Sequence, residues 1–195
     1  METRSRVAAA FDAVPRAVFL PESQRGYAAA DQPLPIGEGQ TNSQPGIVRR
    51  MLELLEVQPG QRVLDVGAGS GWTTALLGHL VGTTGRVYGV ERLPTLVQLG
   101  RRHLDAEEVA GIRDHVSIVP ALPGILGLPD QAPFDRILVS ANAPDLPDAL
   151  VAQLATDGVM VAPVAGRVVR VRTRGGDVEV EQLDHCRFVP LVLDE

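Results

Sequence analysis

From Arg62 onward the chain alternates short β-branched runs with longer stretches whose apolar residues recur at helical spacing. "RVLDVG", "RVYGVE", "HVSIV" and "FDRILVS" predict strands, while "TTALLGHLV" and "TLVQLGRRHLDAE" predict the helices among them. Strands interleaved with helices of this length predict a parallel sheet with helices packed on it. After "PDALVAQLA" the pattern changes: "VMVAPV" reads as a buried strand, and "VVRVRT" and "VEVEQL" alternate apolar with polar residues around "RGGD". That pair predicts an antiparallel hairpin ending an otherwise parallel sheet. "FVPLVL" then returns apolar residues to the body.

Ahead of the sheet, "VAAAFDAV" predicts a short helix. Ile47, Met51, Leu54 and Leu55 fall at i, i+4, i+7 and i+8, which predicts an amphipathic second one. Between them runs "PLPIGEGQTNSQP", with three prolines and two glycines, and it reads as a shaped loop leading into that helix. Ser43 and Pro45 suit the helix start: a serine oxygen can cap orphan amides, and proline at the first helical position loses no needed N–H. No internal repeat or low-complexity linker interrupts the sequence. A length of 195 residues with 45% apolar content is that of one domain with a sizeable core.

Charge and cysteine content narrow the classes. Net charge is −6 and no window gathers five or six like charges, so nothing marks nucleic acid or an anionic membrane as a partner. Cys186 is the only cysteine, which rules out an internal disulfide and suits a reducing compartment, most simply as a small core residue. The N-terminus lacks the apolar core of a secretory signal, and no apolar run approaches a membrane span. A cytoplasmic location is expected.

The chemistry concentrates in "DVGAGSGW", Asp65 to Trp72, which follows a strand and opens a helix. Glycine there lets backbone approach a ligand that a Cβ would exclude. A dinucleotide fingerprint wants G-x-G-x-x-G, but Trp72 stands where the third glycine would fall, and no G-x-x-x-x-G-K-[ST] occurs. Gly67, Gly69 and Gly71 instead suit S-adenosylmethionine, whose methionine end needs no pyrophosphate cradle. Glu91 ends the following strand, where its carboxylate can accept both ribose hydroxyls in a crevice at the strands' carboxyl ends. The expected fold class is therefore α/β: a Rossmann-like doubly wound, mostly parallel sheet with an antiparallel C-terminal hairpin and an N-terminal helical segment.

"DQPLPIGEGQTNSQPGIV", "VLDVGAGSGW", "VERLPTLV", "APFDRILVSANAPDLPDAL" and "RFVPLV", in this order, resemble the protein-L-isoaspartate O-methyltransferase family from about Val14 to Val192. The glycine loop marks only the wider methyltransferase superfamily; "LPIG.GQT.SQP" is specific. The resemblance implies methyl transfer from S-adenosylmethionine to the free carboxylate of L-isoaspartyl residues in damaged proteins or peptides, with S-adenosylhomocysteine as product and no metal. The ester then cyclises to a succinimide, and hydrolysis returns some aspartate. It implies Ser43 as the active-site residue, and Asp31, Gln40, Thr41, Val189 and Pro190 as substrate contacts. Gly67, Ala68, Gly69, Ser70, Glu91 and Ala121 match its cofactor positions. Residues 1–60 would form a substrate-cleft segment and residues 61–195 a cofactor-binding sheet, acting as a monomer on isoaspartyl proteins or peptides, with neither nucleic acid nor membrane as partner. The four histidines show no ligand spacing.

The chain departs from the family pattern at three points. Ala121 replaces an acid that bonds the adenine amino group, Gly46 stands where a large residue often follows "SQP", and Asn42 replaces an aliphatic residue. Tyr27 is displaced relative to Asp31, so Asp31 alone is carried over. The departures keep two other readings open: a related carboxyl methyltransferase tailoring an aspartate of one dedicated peptide, and a catalytically weak S-adenosylmethionine-binding module. Ser43 could orient the substrate or merely cap the helix, and Asp31 could hold substrate or bond loop amides as a turn residue.

Overall fold

The computed structural model describes residues 2–193, opening with α1 (Thr3–Ala13) and a short α2 (Glu22–Arg25). Helix α1 starts at Thr3 rather than at the apolar run. Arg6 holds this polar first turn in place, donating to the carbonyl oxygens of Val57 and Leu80, both at 2.6 Å. Next come β1 (Leu34–Gly37) and β2 (Gln40–Asn42), an antiparallel hairpin where the prolines suggest a loop. Its two-residue turn places Glu38 and Gly39 at φ 52° and 69°, the left-handed conformation that matches strand twist. Pro35 is exposed and Leu34 and Ile36 are buried, so an edge strand accommodates the ring while its alternate residues pack against Leu20 and Leu96.

Helix α3 (Pro45–Leu55) buries Val48, Met51, Leu52, Leu54 and Leu55. Ile47, expected on the same face, is only half-buried. The alternating series follows: β3 (Arg62–Val66), α4 (Trp72–Val81), β4 (Arg86–Glu91), α5 (Pro94–Leu104), β5 (Val116–Pro120) and β6 (Phe134–Val139). Then come α6 (Asp148–Val151), β7 (Leu154–Val164), β8 (Arg167–Arg174) and β9 (Asp177–His185).

The seven-stranded sheet has the order β5-β4-β3-β6-β7-β8-β9, parallel through β7 and antiparallel for the last two strands. Strand β7 begins at Leu154, ahead of the apolar run at Val159. Thr173 holds this irregular start, its hydroxyl donating to Ala155 O (2.6 Å) and accepting from Gly158 N (2.9 Å). Along β3 the side chains alternate, with Val63 in the layer under α1, α3 and α4 and Leu64 and Val66 in the layer opposite. The first layer is helical; the second is covered by the 121–132 segment and the single-turn α6. Order reverses between β3 and β6, which opens a crevice at their carboxyl ends. Among the described residues no helix is long and apolar enough to cross a membrane.

Candidate active site

The start of α3 is built differently from its sequence signature. Gln44 is the N-cap residue and makes no side-chain cap bond, and the Ser43 hydroxyl has no hydrogen-bond partner among the described residues. The cap comes from Asp31, distant in sequence. Its Oδ1 accepts Gly46 N–H at 2.7 Å and its Oδ2 accepts Gln44 Nε2 at 3.0 Å. Hydrogen bonds from Gln44 and Gly46 hold its carboxyl below the usual carboxylate range, assisted by the Arg16 charge. A Cβ on Gly46 would lie 3.0 Å from both carboxylate oxygens, so glycine at this departure lets Asp31 reach the helix end. The capping role considered for Ser43 thus belongs to Asp31.

Arg16 ties this segment together. Its buried guanidinium donates to Asn42 Oδ1 (2.7 Å) and to the carbonyl oxygens of Ala28, Ala30, Gln32, Asn42 and Ser43 (2.8 to 3.2 Å). Asn42 passes the restraint on, donating to Ser70 Oγ at 3.3 Å. An aliphatic residue could not make that bridge, which gives the second departure a structural purpose. His103 Nδ1 lies 2.9 Å from Ser70 O, and burial lowers the pKa of this imidazole. Trp72, where a third fingerprint glycine would fall, anchors α1 by donating to Val14 O (3.3 Å) and meeting Phe11 edge-on.

Under the hairpin lies the glycine loop. Gly69 has φ +55°, and a Cβ there would come within 3.3 Å of Ile36 Cδ1 from β1. Glu91, buried at the end of β4, accepts Gly69 N–H and Leu93 N–H through separate carboxylate oxygens, each at 2.9 Å. Each oxygen keeps acceptor capacity for a ligand. Gly67, Gly69, Glu91 and Ala121 line one cavity together with the apolar Leu93, Leu122, Ile125 and Leu126. Ala68 and Ser70, both buried, line not this cavity but a small space beside it.

A second cleft, of about 780 Å³, is lined by Ser43, Thr41, Ile47, Ser140, Phe188 and Val189 among others. Thr41 and Val189 line both spaces, while Gln40 and Pro190 line only the first and Asp31 lines neither. A small space between them brings Ser43 together with Gly67, Gly69 and Ser140. Sequence reasoning overlooked Ser140, although its place just past a strand's carboxyl end at the order reversal is the available signal. It donates at 3.2 Å to Asp65 Oδ1, and Thr73 and Thr74 donate to Oδ2 at 2.8 and 2.7 Å. Asp65 is fully buried, and desolvation raises its pKa against the pull of those hydroxyls.

The cavity fits the nucleoside moiety of S-adenosylmethionine on its own donor set. A buried carboxylate with spare lone pairs can accept ribose hydroxyls, and the apolar part of the lining suits a purine face. With the parallel sheet and glycine loop, this defines an S-adenosylmethionine-dependent methyltransferase. The sequence profile of the protein-L-isoaspartate(D-aspartate) O-methyltransferase family matches residues 1–195, and the chain belongs to that family.

Its relatives include the protein-L-isoaspartate O-methyltransferase of Aeropyrum pernix, 47% identical over 97% of this chain and 74% of the relative. That of Methanothrix thermoacetophila is 44% identical over 96% and 88%. A solved Plasmodium falciparum structure, described as a putative protein-L-isoaspartate O-methyltransferase in complex with S-adenosyl-L-homocysteine, superposes with TM-score 0.83 at 26% identity, covering 96% of this chain and 90% of that one. Another solved protein-L-isoaspartate O-methyltransferase gives TM-score 0.85 at 25% identity over 96% of this chain, which spans 61% of that longer chain.

Proposed function

We propose that this chain transfers the methyl group of S-adenosylmethionine to the free carboxylate of isoaspartyl residues in protein or peptide substrates, with Ser43 orienting that carboxylate. The observation that carries the reading is a Ser43 hydroxyl, unpartnered among the described residues, that lines the cleft and the small space next to the glycine loop. It sits on a segment that Arg16, Asn42 and Asp31 hold in one shape.

An isoaspartyl carboxylate, with a reference pKa near ~4, is already ionised at pH 7, so its oxygen can attack without a general base. The sulfonium supplies an electrophilic methyl group and leaves as a neutral thioether, and no proton changes hands. Charge disperses as the anion approaches the cation, so a site that gripped the carboxylate tightly would favour the ground state. One hydroxyl orients it without that penalty, while the N-terminus of α3 is already capped by the Asp31 carboxylate. Glu91 holds the loop and the ribose, Thr41 and Val189 join the two spaces, and Gln40 and Pro190 complete the cofactor side. Residues 1–60 supply one wall of the cleft over the sheet of 61–195, and Ser140 and residues 185–189 supply the other. The test is transfer of labelled methyl to matched peptides containing isoaspartate, aspartate or neither. Label enters only the isoaspartyl peptide, as an ester lost in mild alkali; equal labelling of the aspartyl twin would count against the reading.

Ala121 sits on the adenine side with no carboxylate to receive the exocyclic amine, and its own N–H is taken by Glu91 O at 2.8 Å. Ala121→Asp is expected to tighten S-adenosylhomocysteine binding modestly, on the order of fivefold, since a new charged hydrogen bond is offset by desolvation of the carboxylate. Calorimetric titration checks this. Unchanged or weaker binding would show that the amine already has a partner.

A further inference from the structure

The cleft leading to Ser43 is unevenly charged. Among the described residues no carboxylate lines it, and Arg187 is its one arginine. Asp31 and Asp184, which flank the lining residues Pro33 and His185, are engaged elsewhere: Asp31 caps α3, and Asp184 pairs with Arg50 at 3.3 Å. Arg187 is exposed and has no hydrogen bond or ion pair among the described residues. By contrast, Arg170 and Arg172 on β8 are paired with Glu181 and Glu56. Although the chain carries a net charge of −6, no described residue neutralises this cation at the cleft.

The backbone explains its placement. Between β9 and the bridge that pairs Asn142 with Pro190, Cys186 and Phe188 pack on the main core. Arg187 between them is exposed and Val189 half-buried, and all four residues line the cleft. Val189 O accepts Asn142 N–H at 2.8 Å, which fixes the segment, and Val189 lines both the cleft and the cofactor cavity. Arg187 is two residues from Val189, a span of about 7 Å. A bound peptide covers that distance in about two residues of its own.

The geometry points to a substrate preference: among isoaspartyl peptides, this enzyme selects those carrying a carboxylate side chain within about two residues of the isoaspartate. His185, also in the lining, offers a further hydrogen-bond donor there. The inference rests on the isoaspartyl reading and adds the chemistry of the flank to it. Since Arg187 lies away from the reacting atoms, its contact strengthens ground state and transition state alike and appears in KM rather than kcat. Exposed ion pairs are individually weak, but glutamate gains attraction where lysine meets repulsion. A roughly three- to tenfold difference in kcat/KM is expected between them.

The experiment compares isoaspartyl peptides with paired glutamates or paired lysines on the N-terminal side, or on the C-terminal side, of the isoaspartate. Each is assayed with wild type, Arg187→Gln and Arg187→Glu. The ratio of kcat/KM within one variant needs no correction for its folded fraction. Wild type favours glutamate on at least one side, Arg187→Gln levels the ratio, and Arg187→Glu inverts it. The wild-type preference shrinks at about 0.5 M salt, where screening is nearly complete beyond a few ångströms. Equal rates in wild type on both sides, a lysine preference, or a glutamate preference that survives in Arg187→Glu would overturn the flank selectivity alone. Failure to label any isoaspartyl peptide would overturn the isoaspartyl reading, and this inference with it.

Discussion

Replacing Glu91 by alanine is expected to weaken S-adenosylhomocysteine binding by about 3 kcal/mol or more, on the order of a hundredfold. Two losses combine. One is the pair of charged hydrogen bonds to ribose hydroxyls, each worth about 1.5 to 3 kcal/mol at best and not additive. The other is structural, because the carboxylate also fixes Gly69 N–H and Leu93 N–H at 2.9 Å and so shapes the loop and the start of α5. Glu91→Gln keeps one acceptor oxygen but turns an NH2 group towards an N–H, so it should fall between wild type and alanine. Calorimetry measures the affinities, and denaturant unfolding reports how much of the loss is loop disorder. An unchanged dissociation constant in Glu91→Ala would remove this residue from the cofactor site.

Ser43→Ala should lower turnover about a hundredfold, the scale of a lost positioning contact, while cofactor affinity stays near wild type. Stability should shift by no more than about 0.5 kcal/mol, because the hydroxyl neither caps α3 nor bonds any described residue. A capping serine would instead cost about 0.5 to 2 kcal/mol of stability with turnover intact. Steady-state kinetics alongside thermal unfolding separate the two outcomes, and full turnover in the variant would remove Ser43 from the chemistry.

How much of this was legible beforehand depended on whether the signal was local. The strand and helix alternation after Arg62, the C-terminal hairpin and the glycine loop with Glu91 all lie in short windows with a clear period, and the sheet has those elements in that order. The β1–β2 hairpin was hidden because two prolines argue against a strand, and "EG" is a weaker turn signal than Asn-Gly or Asp-Gly. What lay beyond reach were contacts between residues far apart in sequence. The cap on α3 comes from Asp31 fifteen residues away, and Arg16 meets Asn42 across twenty-six. Ser140 reaches Asp65 across seventy-five. The departures at Gly46 and Asn42 became intelligible only with those partners in view: one makes room for a carboxylate, the other bridges an arginine to a serine.

The central claim is that methylation here acts on isoaspartate and sets its repair in motion, which separates it from tailoring of one dedicated peptide. The most direct test incubates a purified isoaspartyl peptide of arbitrary sequence with the enzyme and S-adenosylmethionine, following peptide composition by chromatography through repeated turnover. The account predicts that the isoaspartyl form declines while succinimide and then the aspartyl twin appear, and that omitting S-adenosylmethionine abolishes the change. Persistence of the isoaspartyl peptide, unmethylated and with no succinimide or aspartyl twin formed, would contradict it.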